Sequence, residues 1–317
     1  MGRVHADMLE LIGHTPMVRL DRLTAGLAGS IVAKLEYFNP GFSKKDRIAL
    51  QIIEDAVGQG WLAPGQPVVE LTSGSTGIGL AIVCSLKGYP FIAVMSKGNS
   101  VERAKMMRAF GAEVVLVDQA TGSPPGQVSG EDLALVEAEA RRLTAARGAF
   151  RVDQFYNKSN AAAHELNTGE EMWRQTGGEI DVFVDFAGTA GTFMGCARAL
   201  KKHNPAVRCY LVEPRDATYL ETGRVVNASH RIQGGGYAME LPLLDRSLVA
   251  GFLAVSDEEA VAATRRLARE EGILAGFSSG ANVAAALSLL ADREKGRKIA
   301  VIINDIGLKY MSNDLFV

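Results

Sequence analysis

Short runs of β-branched and apolar residues alternate with segments of helical period along nearly the whole chain. Ile31–Leu35 reads as a strand, and the spacing of apolar positions predicts a helix over Asp46–Val57. Val68–Leu71 is a second strand feeding a helix from about Thr76 to Leu86. The strand Phe91–Met95, a helix over Val101–Phe110 and the strand Glu113–Val117 continue the rhythm. The second half repeats it with Val182–Phe186, a helix, Arg208–Val212 and, late on, Lys298–Ile303. Ser256-Asp257-Glu258-Glu259 is a capping-box signature that starts a helix running toward Glu271. Strands alternating with helices imply crossover units and mostly parallel sheets covered on both faces. The fold class read from this pattern is α/β.

Two stretches break the pattern. Residues 119–131 contain Gly122-Ser123-Pro124-Pro125-Gly126 and read as a surface loop. Residues 213–250 lack periodicity and hold Gly234-Gly235-Gly236, the composition of a long functional loop.

The chain has 317 residues, of which 47% are hydrophobic and 22% charged, so two modest domains with ample core are expected. A net charge of −2 argues against a chain-wide pull toward nucleic acid or anionic membrane. No apolar stretch approaches the roughly 18 residues of a membrane span. Met1–Ala6 has neither a signal core nor a myristoylation pattern, so the default expectation is cytoplasmic. Cys84, Cys196 and Cys209 are odd in number and widely separated, which suits reduced core residues. The five histidines show no ligand spacing, and no metal site is expected.

The candidate chemistry lies in the turns. Thr72-Ser73-Gly74-Ser75-Thr76-Gly77 follows one strand, and Gly188-Thr189-Ala190-Gly191-Thr192 follows another. Gly276-Phe277-Ser278-Ser279-Gly280 opens a third helix. Glycines at such turns let backbone N–H groups approach an anion beside a helix N-terminus. For any one of them the simpler reading is tight turn geometry. The crowded hydroxyls shift the balance toward carboxylate and phosphate oxygens, because they add nothing to a core. Lys44 and Lys45 stand where a helix begins, a place that disfavours cations. They read either as a solvated face or as one sheltered amine able to attack an aldehyde. Spacing does not choose between the two.

These residues resemble the motifs of the cysteine synthase and cystathionine β-synthase family of pyridoxal-phosphate enzymes, in the fold type II (tryptophan synthase β-like) group. Ile12-Gly13-His14-Thr15-Pro16-Met17-Val18-Arg19-Leu20 is similar to the family's opening motif, and Asn39–Arg47 to N-P-G-G-S-V-K-D-R. Thr72–Gly77 is similar to T-S-G-N-T-G, Gln154-Phe155-Tyr156-Asn157 to Q-F-x-N, Gly188–Thr192 to G-T-G-G-T, and Gly276–Gly280 to G-I-S-S-G. The resemblance runs from residue 12 into the segment ending Ser312-Asn313-Asp314-Leu315-Phe316.

The resemblance implies two open, twisted, mostly parallel sheet domains with pyridoxal 5′-phosphate in the cleft between them. A smaller mobile domain would cover residues 36–152, and a larger one residues 1–35 and 153–317. Lys45 would form the Schiff base and act as the catalytic base, with Lys44 an intruder in the motif. Gly188, Thr189, Ala190, Gly191 and Thr192 would hold the phosphate, Ser278 would face the ring nitrogen, and Ser75 would stand near the ring's 3′-oxygen. Thr72, Ser73, Gly74, Thr76 and Gln154 would bind the substrate carboxylate, with Gly236 and Tyr237 also at the substrate. A serine hydroxyl leaves the ring nitrogen neutral, which favours prompt loss of a β-substituent over racemisation or transamination.

The implied reaction is β-replacement on an activated L-serine through an α-aminoacrylate, most simply O-acetylserine and sulfide giving cysteine and acetate. A different donor (serine, phosphoserine) or nucleophile (amine, homocysteine, cyanide, a hydroxyurea-like acceptor) is the alternative. A rival of another class is a non-catalytic partner that retains the fold. Ser75 for the family asparagine, Phe42 for a glycine, Lys158 for a proline, Gly235–Met239 and Asp305–Lys309 are departures at the pocket. The family also implies a homodimer, and in some relatives a docked serine acetyltransferase tail. Haem and adenosylmethionine control are not expected.

Overall fold

The computed structural model describes residues 4–123, 126, 128–228 and 230–316. The chain enters through β1 (Met17–Arg19) and β2 (Ser30–Leu35), followed by α1 (Lys45–Gly58). Next come β3 (Val68–Leu71), α2 (Ser75–Lys87), β4 (Phe91–Ser96), α3 (Val101–Ala109) and β5 (Glu113–Val117). α4 (Gly130–Arg147) and the short β6 (Phe150–Arg151) complete this half. α5 (Ser159–Ala163) and α6 (Glu170–Gln175) are joined by a π-helical turn over His164–Gly169. β7 (Val182–Phe186), α7 (Gly191–His203), β8 (Arg208–Pro214) and the short α8 (Tyr219–Thr222) follow. β9 (Gly251–Val255), α9 (Asp257–Glu271), α10 (Phe277–Ala291) and β10 (Lys298–Ile303) close the sequence of elements.

The strands form two sheets. One runs β1-β2-β10-β7-β8-β9, and the other β5-β4-β3-β6. Every pairing is parallel except that of β1 with β2. Parallel strands need helical cover on both faces, and β3, β4 and β7 are accordingly buried at every position. The period-2 alternation of a strand sorts their side chains. Val182, Val184, Ile299 and Val301 pack with α9 and α10, while Phe183, Ala300 and Ile302 pack with Phe193 and Leu200 of α7.

The order of strands also fixes where a ligand can sit. In the large sheet β7 lies between β8 and β10, and in the small sheet β3 lies between β4 and β6. Chain direction therefore diverges beside β7 and beside β3, which opens a crevice beyond their C-terminal ends. Gly188–Thr192 leaves β7, and Thr72–Gly77 leaves β3.

Several local expectations meet the structure with differences. Ser256 caps α9 with the reciprocal Glu259 contact that the motif predicts. α1 begins at Lys45 itself, with Lys44 as its N-cap. Phe42 has φ +61, a left-handed conformation suited to the glycine of the family motif, and its ring is exposed rather than packed on the lysine turn. The helix α4 was not anticipated. Its signals are a Ser129–Asp132 capping box and Val136, Ala140 and Leu143 at helical spacing, packed on Val69 and Ile92. Within the anticipated loop of residues 119–131, Pro124 and Pro125 lie outside the described residues, as do Met1 and Gly2. Cys84, Cys196 and Cys209 are free and buried. Among the described residues no helix is long and apolar enough to cross a membrane, and no cluster of three or more His, Cys, Asp or Glu could hold a metal.

Candidate active site

The lysine loop is held on three sides. Asn39 accepts from Gly13 N–H at 2.7 Å, and Gly41 N–H donates to the Asp46 carboxylate. Lys44 N–H donates to the Asn304 carbonyl at 2.9 Å. Arg47, two residues beyond Lys45, reaches Glu36 at 2.7 Å and Glu171 at 2.7 Å, and Lys34 reaches Glu171 at 2.6 Å. These buried charges satisfy one another and tie the first turn of α1 to the end of β2 and to α6.

Both lysines are sheltered, which decides against a solvated face. Lys44 is 8% exposed, and its ammonium lies 3.1 Å from both carboxylate oxygens of Asp185. Lys45 is partly exposed, toward the cavity between the two sheets. Burial first, and the Lys44 charge second, lower the Lys45 amine to about 7, while Asp185 and Glu70 oppose that shift. An amine titrating there is substantially neutral, and hence nucleophilic, near pH 7.

The loop after β3 presents its hydroxyls selectively. Thr72 Oγ1 accepts from Gly74 N–H and Gly77 N–H, each at 2.9 Å, so Thr72 braces the loop and does not line the cavity. Gly74 also stands off the wall. Its φ of +127 and the Arg103 side chain packed against it leave no room for a Cβ. Ser73, Ser75 and Thr76 do face the cavity. Thr76 donates to Gln154 Oε1 at 2.6 Å, and Gln154 Nε2 donates to the Leu71 carbonyl at 2.9 Å. Glu70 beneath them accepts from Asp153 N–H at 2.8 Å, and burial raises its carboxyl to about 7. Ser73 Oγ lies 3.2 Å from the Tyr237 hydroxyl, which links this loop to the glycine-rich loop of residues 234–237. Gly236 belongs to an adjoining cavity that shares Ser73 and Tyr237.

Gly188–Thr192 lines a second cavity that shares Lys44, Lys45 and Ser278 with the first. Ala190 adopts φ +65, and a Cβ at Gly191 would collide with the Asn160 amide. Position 191 therefore admits only glycine, and position 190 favours a small residue. The first-turn N–H groups there lack helical acceptors, the arrangement that receives a phosphate. Asn160 Nδ2 donates to Thr189 Oγ1 at 2.8 Å, and His164 Nε2 lies 3.2 Å from Thr192 Oγ1. Burial, then the charges of Lys44, Arg47 and Lys45, hold His164 well below its ordinary pKa, so it supports Thr192 as a neutral ring. On the opposite wall Ser278 Oγ accepts from Asn304 Nδ2 at 3.0 Å, which leaves its hydroxyl proton free for an acceptor in the cavity.

An anion cup, a depressed lysine amine and a free hydroxyl around one cleft fit pyridoxal 5′-phosphate. Unpartnered buried acceptors at Asn304 Oδ1 and Asp305 Oδ1 belong to side chains of the same wall. Asp305, one of the departures noted in the sequence, lines the first cavity, and Arg103, Asp185, Asn304 and Tyr310, to which the sequence reading assigns no role, also line these cavities. Asp185 carries a visible signal, an acid inside the otherwise apolar Val182–Phe186. Arg103 carries none, since Val101–Ala109 has charge on every side.

A family profile described as pyridoxal-phosphate dependent enzyme matches residues 8–305. Cysteine synthase 3 of Caenorhabditis elegans is 41% identical over 312 residues, spanning 98% of this chain and 89% of that protein. Among solved structures, O-ureido-L-serine synthase superposes with a TM-score of 0.89 at 38% identity, covering 99% of this chain and 96% of that one. O-acetyl serine sulfhydrylase isoform 3 from Entamoeba histolytica superposes with a TM-score of 0.90 at 36% identity, covering 99% and 92%. The chain belongs to the family of pyridoxal-phosphate dependent enzymes, as a cysteine-synthase-like member with the fold type II architecture.

Proposed function

We propose that this enzyme replaces the β-substituent of an activated L-serine, with O-acetylserine as donor and sulfide as nucleophile. The observation that carries the reading is the convergence of Lys45, Ser73, Thr76, Gln154, Thr189 and Ser278 on one cavity. Bound there, pyridoxal 5′-phosphate supplies an electron sink conjugated to the Cα of the amino acid. Gly188–Thr192 would hold its phosphate, Lys45 would hold its aldehyde carbon, and the Ser278 hydroxyl would face its ring nitrogen. Ser75 would stand beside the ring, a hydroxyl in place of an amide.

The chain's own groups do the rest. Ser73, Thr76 and Gln154 orient the substrate carboxylate, while Thr72 and Gly74 shape that loop from behind. With the cofactor and substrate bound, the Lys45 amine would take the α-proton and later return it to Cα. Tyr237, linked to Ser73, closes the outer wall and keeps water from the nucleophile's path. Residues 36–152 are the unit we take to close over substrate. A second copy of the chain, a serine acetyltransferase tail and a cytoplasmic setting are the partners and location implied.

A larger nucleophile is the second reading. The cavity continues past Ser73 and Tyr237 to Asn99, His230 and Gln233, whose hydrogen-bonding groups would suit an amide or urea-like acceptor.

Borohydride reduction of the cofactor-loaded protein followed by peptide mass spectrometry tests the covalent assignment. A pyridoxyl adduct is expected on Lys45 and is expected to vanish in Lys45→Ala. An adduct elsewhere, or no cysteine formed from O-acetylserine and sulfide, would sink the respective half of the reading. Screening amine, urea and thiol acceptors with the same donor separates the two nucleophile classes.

A further inference from the structure

We propose that Lys44 is a phosphate-binding residue, its ammonium fixed on Asp185 so that one N–H remains for the phosphate monoester seated in the Gly188–Thr192 cup. The inference rests on the cofactor reading above and concerns only the phosphate end of that ligand.

Lys44 differs from its neighbour in what it faces. Its side chain is buried at the N-terminus of α1 and points to the end of β7, where Asp185 is 1% exposed. Two contacts of 3.1 Å to the Asp185 carboxylate occupy two of the three ammonium protons. Asn282 Nδ2 donates to the same carboxylate at 3.2 Å, which helps hold it in place. Lys44 and Asp185 line one cavity together with the turn Gly188, Thr189, Ala190, Gly191 and Thr192.

The sign of the charges explains why the pair goes together. A bare carboxylate at Asp185 would stand on the wall of an anion site and repel its ligand. Lys44 cancels that charge and has a further proton to donate. In the N-P-G-G-S-V-K-D-R motif this position is an apolar valine, which offers no charge to the cup. Here it gains a side-chain cation, and charge-assisted hydrogen bonds to phosphate are roughly twice as strong as neutral ones.

A packing role is the competing account, in which the pair merely fastens the lysine loop to β7. It predicts equal losses for any aldehyde that Lys45 captures. The same holds for an effect transmitted through the Lys45 amine. Binding of pyridoxal 5′-phosphate and of pyridoxal to the apo protein, followed by absorbance, separates these accounts. Lys44→Met is expected to weaken the phosphorylated aldehyde about tenfold and pyridoxal by less than about twofold. Equal losses for both, or no loss for either, would overturn the assignment. The double variant Lys44→Met with Asp185→Asn removes the stranded carboxylate. Persistent loss of selectivity in it supports direct contact by Lys44. Recovery of wild-type selectivity would assign the loss to Asp185 repulsion and overturn the proposal. Wild-type protein that captures neither aldehyde would refute the cofactor reading itself, and this inference with it.

Discussion

The ammonium of Lys309 donates to the carbonyl of Gly41 across 3.0 Å. It also lies 3.3 Å from the Phe42 carbonyl and 3.5 Å from Ser75 Oγ. One residue near the end of the chain therefore clamps the loop that carries Lys45 to the loop that carries Ser75. Lys309 is 1% exposed, and burial lowers its amine to about 8 against the pull of Asp305 and Asp46. The nearby Asp46 carboxyl is raised by burial to about 7.

Removing the clamp strands buried acceptors. Lys309→Met is expected to cost about 2 kcal/mol of stability, read from the urea unfolding midpoint with the slope unchanged. An unaltered midpoint would mean that the two carbonyls find other donors.

Capture of aldehyde by Lys45 should rise with pH. Its amine is lowered to about 7, so the proton is held below that pH and released above it. Stopped-flow mixing of apo protein with pyridoxal 5′-phosphate is expected to give a rate that climbs from pH 6 to pH 8 with a midpoint near 7. A midpoint close to the ordinary lysine value would show that Lys45 is neither desolvated nor influenced by Lys44.

The buried network around Arg47 makes stability acid-sensitive. Hydrogen bonds and charge from Arg47 and Lys34 outweigh burial and depress Glu171 from 4.5 to about 2. Its folded-state pKa is lower than the unfolded one, so the contribution is fully present above about pH 4.5 and is lost as pH falls through about 2. Glu171→Gln should remove about 3 kcal/mol at neutral pH and flatten the decline of stability over that acid window, measured by denaturant unfolding at several pH values. Parallel curves for the two proteins would contradict the assignment.

Tyr237 joins the loop after β3 to the glycine-rich loop of residues 234–237. Its hydroxyl lies 3.2 Å from Ser73 Oγ, and its ring meets Phe155 edge-on with centroids 5.9 Å apart. Tyr237→Phe keeps the ring and loses the hydroxyl, so KM for the amino-acid donor should rise about threefold to tenfold. Steady-state kinetics with varied donor would check it, and an unchanged KM would place Tyr237 outside substrate binding.

Much of the scaffold is legible without coordinates because it is encoded locally. The apolar runs at Val68–Leu71, Phe91–Met95 and Val182–Phe186 are near-continuous, and only strands buried on both faces require that. The hydroxyl-rich turns after Val68–Leu71 and Val182–Phe186 could be read as anion loops from residue type alone. β1 and β6 escaped because three and two residues carry no period, and they exist through pairing with β2 and β3. α4 is weakly marked in the sequence because only Val136, Ala140 and Leu143 carry its buried face, and its Ser129–Asp132 capping box follows directly on a loop rich in glycine and proline.

Local residue patterns encode the alternation of strands and helices, the glycine turns at two strand ends and a family resemblance centred on Lys45. Tertiary structure decided what each charged group faces. It brought Asp185 to Lys44 across 141 positions, Lys309 to Gly41 across 268, and Asn304 to Ser278 across 26. Such pairings arise from sheet order and crossover connections. A period of 2 or 3.6 specifies which face a residue occupies, and carries no information about which distant residue will stand opposite.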